Sequence, residues 1–424
     1  MLKRTFLLLT LPMLLSATTL PELFQALKNH SQTKSDEMVI KKAQIAASQA
    51  TSQLYPKIDI FGAYDNYSTP TGMLPIPPDT LLAMVKNPAV PQPFSYNIYK
   101  AGAKFTMPIF VKSIYTMADK AKAMQKSAQA KKRINLLKNE ALIVGSNANL
   151  QYLSALKKSL DLKEKSLLET QKTLKIKVDN GRAPASALYK INDGLNQISI
   201  AKNNIELQKQ KLLSSIEAIT GIKLDKAVDM QELGTVQGGK LGSLQPLEEK
   251  LKASRLEVNA EQEKLYPSVV AHGSYAYSSA TAYNNSKDVN EKYGDIGIVV
   301  NIPLLAMDQY DAIKKSKIQL KSDEIALEKL RDELSAKADM LKNSLPLLDN
   351  SIKLSQKSIQ NKEKLLKIAK VNYNSGRLST EEYLRYEDDV VAAKAKLYQA
   401  KAQKWQTQME LAVIYANNIE EMVR

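Results

Sequence analysis

The sequence predicts a mainly α protein with a β-barrel part, assembled from a duplicated helix-strand-strand-helix-helix unit. Three observations predict it. Two stretches of about seventy residues carry almost no proline or glycine and repeat an apolar residue every seven positions, the seam spacing of packed helices. Four short runs alternate apolar and polar residues with a period of two, which is the strand signature. Landmarks also recur at one offset: Gly181 and Gly376 are 195 residues apart, and so are Met107-Pro108 and Ile302-Pro303. A fixed offset marks an internal duplication.

Composition narrows the class. With 15 glycines, 16 prolines, 6 phenylalanines and one tryptophan in 424 residues, the chain is poor material for several aromatic-rich cores, while 25% charged residues at helical spacing suit long packed helices. The absence of cysteine removes disulfides and thiolate chemistry together. A net charge of +16 invites a nucleic-acid partner, but the lysines run along helices without interleaved aromatics. They read instead as a solvated face able to meet anionic headgroups or an acidic partner.

Residues 1–17 have the order of a secretory signal: Lys3 and Arg4, an apolar run from Phe6 to Leu15, then Ser16, Ala17 and Thr18. Cleavage is expected near Ala17, and no cysteine there offers a lipid anchor. No other run approaches the ~20 apolar residues of a transmembrane helix, so a membrane-embedded part has to be β.

The first repeat is placed at 18–221. Leu20, Leu23, Leu27, Val39, Ile40, Ala43, Ala47 and Leu54 give a helical pattern over 20–54, ended by Tyr55-Pro56. A strand follows at about 56–67, with Ile58, Ile60, Gly62 and Tyr64 on one face. Seven prolines between 68 and 95 predict a long irregular loop. The second strand, about 96–108, places Tyr99, Ala101, Ala103, Phe105 and Met107 on one face, and Pro108 is read as its end. A helical hairpin then spans 109–219 with its turn at 180–183; at ~1.5 Å per residue its first arm would reach about 105 Å. Leu153, Leu160, Leu167 and Leu174 form the seam.

Glycines at 234, 238, 239 and 242 make 222–246 a linker or equatorial crossing. The second repeat, 247–424, runs the same programme: a helix stopped by Tyr266-Pro267, strands at about 267–280 and 293–303, and a hairpin over 304–422 with its turn at 374–379. Val269, Ala271, Gly273, Tyr275 and Tyr277 share one strand face, as do Ile296, Ile298, Val300 and Ile302. Leu345, Ile352, Ile359, Leu366 and Tyr373 form the second seam, with Pro346 placed to kink it.

Strands of this length match tilted transmembrane β-strands, and tyrosines at their ends suit an interfacial girdle. Four strands do not close a barrel, and lipid forbids an open edge, so several chains must share one.

The chain resembles the TolC-like family of outer-membrane efflux proteins, through the duplicated plan, the paired Tyr-Pro strand openings, Pro108 and Pro303 before the long helices, and the two glycine turns. The resemblance implies a homotrimer with a twelve-stranded barrel in the outer membrane of a Gram-negative bacterium and a periplasmic α-helical tunnel. It implies a passive exit duct of a tripartite efflux or type I secretion system, partnered by a periplasmic adaptor protein and an inner-membrane transporter of RND or ABC type. The family's periplasmic tip maps onto Gly181 and Arg182 in one turn and Gly376, Arg377, Leu378, Ser379 and Thr380 in the other, the expected adaptor-docking residues. Family members often constrict the tunnel just inside the tip with aspartates; here the corresponding position holds Glu382, with Glu381 beside it and Arg385 nearby, a partial match that makes these three the candidate gate. The competing reading is a periplasmic coiled-coil stalk or adaptor without a channel, which the two near-equal halves oppose.

No catalytic, cofactor or metal site is expected: the only histidines, His30 and His272, lie in different segments, and no glycine-rich phosphate loop occurs.

Overall fold

A computed structural model describes residues 18–424; the expected leader lies outside the described residues. Two compact units cut across both sequence repeats: one takes the chain up to Met38 with Ala130–Gln245 and Glu328–Arg424, the other Val39–Gln129 with Pro246–Leu327.

The second unit holds the sheet. Strands β1 (Lys57–Gly72), β2 (Phe94–Phe110), β3 (Ser268–Thr281) and β4 (Asp288–Asn301) pair antiparallel in sequence order. Their register joins the four alternating runs: Ile58 faces Phe105, Phe105 faces Gly273, and Gly273 faces Ile296. Ile60, Ala103, Tyr275 and Gly294 make the next row. Directly paired residues share a face, so the four apolar stripes read from sequence form one continuous apolar surface. That surface is open in the single chain, with Ile60 87% and Ile296 82% exposed.

Several boundaries differ from expectation. The segment 68–95 is not one irregular loop: β1 runs on to Gly72 through a register break between Asn66 and Thr71, and Pro78–Val85 forms helix α3. Proline is harmless in both places, since Pro70 lies where the ladder is interrupted and Pro78 occupies the first helical turn. Pro108 does not end β2 either; it sits beside a second register break and the strand continues to Phe110. β4 begins at Asp288, earlier than expected, because its first residues are polar and give no apolar alternation.

The helical pattern over 20–54 is two helices, α1 (Leu20–Asn29) and α2 (Ser31–Ser52), parted by an extended His30. The Thr33 hydroxyl donates to Leu27 O at 2.7 Å and holds the break. Each long arm is one helix, α4 (Lys112–Asp179) and α7 (Met307–Asn374), and Pro346 lies within the second. The returning arms are α5 (Ala185–Thr220) and α8 (Thr380–Tyr415), while α6 (Gln245–Glu263) opens the second repeat. α8 stops short of 422 at a left-handed Ala416, after which Val423 bridges to Glu232.

In the first unit α4 lies between α5 and α8. Lys202 reaches Asp161 at 2.6 Å, and Gln171 reaches Asn192. On its other side Ser166 meets Tyr383, and α8 in turn pairs with α7 through Lys394–Glu363 at 2.8 Å and Lys404–Asp349 at 3.0 Å. The order is therefore α5, α4, α8, α7. Leu153, Leu160 and Leu167 are buried against Ile198 and Ile205, each such side chain contributing about 1.5–3 kcal/mol. The second seam is shallower: Leu345, Ile352, Ile359 and Leu366 are half-buried. The expected linker packs closely, with Leu224 and Val228 in the core beside Leu23, Ile143 and Met409. Asn147 holds the Val228 backbone from both sides, donating to its carbonyl at 2.7 Å and accepting its N–H at 2.8 Å.

Candidate functional site: the paired helix turns

Both glycine turns close with the same backbone geometry. Gly181 has φ +69° and Gly376 φ +76°, a left-handed conformation that favours glycine. Arg182 N–H donates to Lys177 O at 2.7 Å and Gly181 N–H to Val178 O at 2.9 Å; Arg377 and Gly376 repeat this with Asn372 and Tyr373 at 2.9 and 3.1 Å. These are two Schellman stops, which satisfy the last helical carbonyls. Arg182 and Arg377 are exposed and Leu378 is half-buried.

The helices leaving the turns begin differently. α5 starts from Pro184 without a side-chain cap, whereas α8 starts from a capping box. Glu382 Oε2 accepts from Ser379 N–H at 3.0 Å and Ser379 Oγ at 2.7 Å, and Glu382 N–H donates back to Ser379 Oγ at 3.2 Å. The Ser379 hydroxyl, followed by its backbone N–H and the charge of Arg385, holds the Glu382 carboxyl below the usual range. Glu381 points elsewhere. Its Oε2 lies 2.8 Å from Lys190 Nζ of α5, and this lysine keeps it ionised to lower pH than usual. A cleft of about 760 Å³ lies here, with Pro184, Lys190, Ser379, Thr380, Glu382 and Arg385 in its wall. Of the expected residues, Ser379, Thr380, Glu381, Glu382 and Arg385 thus meet in one cleft, while Gly181, Arg182, Gly376, Arg377 and Leu378 stay outside its lining.

Farther along α8 lies a cluster that the sequence pattern does not single out. Tyr373 and Tyr383 stack with centroids 4.9 Å apart, and the Tyr383 hydroxyl donates to Glu387 Oε1 at 2.8 Å. Burial pushes the Tyr383 hydroxyl up to about 12 and raises the Glu387 carboxyl, while it lowers Lys163. Lys163 pairs with Asp388. The signal that could have found this cluster is the four-residue spacing of Tyr383 and Glu387, which puts both on the inner face of α8.

Among the described residues no group of three histidine or acidic side chains is placed to hold a metal ion, and no helix is long and apolar enough to cross a membrane.

Long duplicated helical hairpins and a meander sheet with an uncovered apolar face make a fold similar to that of solved outer-membrane channels. Comparison supports the class. Residues 242–417 match the outer membrane efflux protein family model, so the second half of the chain is similar to that family. The fold extends over nearly the whole chain. The outer membrane protein VceC from Vibrio cholerae superposes with a TM-score of 0.76 at 14% identity, covering 93% of this chain and 96% of that one. The CmeC outer membrane channel of Campylobacter jejuni gives 0.77 at 16% identity over 94% and 85%. The MtrE outer membrane channel of Neisseria gonorrhoeae, in its open state, gives 0.73 at 12% identity over 93% and 88%. No curated relative matches the sequence. The family match favours an outer membrane efflux channel over a stalk or adaptor without a channel.

Proposed function

We propose that three copies of this chain form a passive exit duct in the outer membrane, fed by an inner-membrane transporter and a periplasmic adaptor. The observation that carries the reading is the register of the sheet. It gathers Ile58, Ile60, Phe105, Tyr275, Ile296 and Ile298 onto one exposed face, which water penalises and lipid accepts. β1 and β4 each leave one edge unpaired within the chain, and a strand edge is not tolerated in lipid. Three four-stranded sheets joined edge to edge give twelve strands in a closed barrel. The same need appears in the helices, where Leu347, Leu354 and Ile368 on α7 and Ile200 and Leu207 on α5 are exposed, a pair of flanks suited to neighbouring copies.

The two glycine turns are the proposed adaptor-docking tip, through Gly181, Arg182, Gly376, Arg377, Leu378, Ser379 and Thr380. Glu381, Glu382 and Arg385 are the proposed gate, with Lys190 added as the partner of Glu381. Glu382 already closes the capping box of α8, whereas Glu381 is held by Lys190 across the cleft and can move without loosening the start of the helix.

The test is membrane fractionation followed by reconstitution. Detergent-extracted trimers that conduct ions in planar bilayers are expected; a soluble periplasmic monomer refutes the duct. A bulky charged residue at Leu378 is expected to abolish export while trimer and barrel persist, and normal export by that variant would overturn the docking assignment.

A further inference from the structure

Among the described residues, two buried side-chain atoms lack a hydrogen-bond partner, and one belongs to an ionisable group: Glu387 Oε2. Glu387 is 6% exposed and lies in the wall of a 340 Å³ cavity between α4, α7 and α8. A buried carboxylate with an unpartnered oxygen is costly when charged and tolerable when protonated.

The charges around it are already assigned. From α4, Lys163 pairs with Asp388, the next residue along α8. From α8, Lys394 is tied to Glu363 of α7 at 2.8 Å. Lys367 and Lys370 of α7 line the same cavity but are exposed to solvent. Tyr383 donates to the other Glu387 oxygen and stacks on Tyr373, and the Ser166 hydroxyl of α4 lies beside the Tyr383 hydroxyl; burial outweighs the opposing pull of both hydroxyls on the Glu387 carboxyl. Glu387 and Asp388 therefore compete for one lysine. Consecutive helical residues point about 100° apart, so Lys163 serves one or the other according to the rotation of α8.

We propose that this contact is a proton-operated latch: with Glu387 neutral, α8 packs on α4 as observed and Lys163 holds Asp388, whereas ionised Glu387 takes Lys163 and turns α8. Burial raises the Glu387 carboxyl and lowers the Lys163 amine, which agrees with a neutral Glu387 in the observed packing. The sign follows from linkage. The packed form holds the proton more tightly than a solvated carboxyl, so packing is favoured at low pH and is lost as pH rises through the raised value. Glu387 lies about two turns from the capping box at Ser379, so rotation of α8 also moves Glu381, Glu382 and Arg385. That consequence for the mouth rests on the duct reading; the latch itself does not.

The chain has no cysteine, so Lys165→Cys on α4 and Ala392→Cys on α8, both exposed, accept spin labels without background. Labelled full-length protein, diluted with unlabelled chains in detergent, is measured by pulsed electron resonance from pH 5 to 8.5. The latch is expected to give two distance populations a few ångströms apart that exchange as pH rises. Glu387→Gln should hold the low-pH population throughout, and Asp388→Asn, by freeing Lys163, should move the transition to at least tenfold higher proton concentration. A wild-type distance that ignores pH, or an unchanged transition in Glu387→Gln, overturns the latch. A transition that Glu387→Gln abolishes upholds it even in protein that conducts no ions, in which case the duct reading falls alone.

Discussion

Ser379 and Glu382 close on each other at the start of α8: the serine hydroxyl donates to the carboxylate at 2.7 Å and accepts the Glu382 N–H at 3.2 Å. One carboxylate thus closes the first turn of the helix and lines the cleft at once. Ser379→Ala should expose the first-turn N–H groups, and amide exchange at Glu381 to Tyr383 should quicken roughly five-fold, the effect of losing a typical cap. Glu382→Gln should leave exchange unchanged, since glutamine also closes a capping box. A change in channel conductance with Glu382→Gln would then report gating and not fraying.

Glu140 is buried on α4, near Lys28 and its 2.6 Å partner Glu420. Burial, helped by the charge of Glu420 and opposed by Lys28, pushes its carboxyl up to about 7. A raised value means the folded state prefers the neutral acid. The corresponding stability is full at pH 4 and disappears as pH climbs through 7, on the order of 3 kcal/mol in all. About 1.4 kcal/mol of this is lost between pH 6 and pH 8.5, so thermal unfolding should occur about 2 °C lower at pH 8.5 than at pH 6, and Glu140→Gln should flatten that difference.

Asp323 shows the opposite sign. Burial raises its carboxyl, but hydrogen bonds from Lys250 at 2.8 Å and Ser254 at 2.6 Å outweigh burial and hold it below the usual range. Its contribution is present at neutral pH and fades as pH falls through the lowered value. Asp323→Asn removes the charge that both donors address and should cost about 2 kcal/mol in denaturant unfolding, with the half-exposed Lys250 limiting the loss.

The aromatic ring of Phe105 fills the space above Gly273, where an added Cβ would come within 2.5 Å of it and within 2.9 Å of the Asp295 carbonyl oxygen. Gly273→Val should disrupt pairing across β2, β3 and β4 and lower the fraction migrating as the proposed folded trimer in unheated gels. Phe105→Ala in the same chain should not restore it, because the clash with backbone remains.

Much of the fold was legible in the residues. The heptad leucines on α4, the period-two stripes of the strands and the two glycine stops each follow from local geometry, and the repeat at 195 residues doubled every signal. Ends were less legible where proline occurs, because Pro70, Pro78 and Pro108 break a pattern without ending an element. Of the candidate site, the turns themselves were readable, but Lys190 and Glu387 were not: each matters through a residue on another helix, 191 positions away for Lys190 and Glu381.

The sequence by itself determined the order of the long helices and of the four strands and which strand faces are apolar, since those depend on periods of 3.6 and 2 along the chain. Only the tertiary structure decided that the four apolar faces coincide, that Glu382 caps its own helix while Glu381 reaches across to Lys190, and that Glu387 is buried with one oxygen unpartnered. Those outcomes depend on strand register and helix rotation, which are set by packing between segments far apart in the chain.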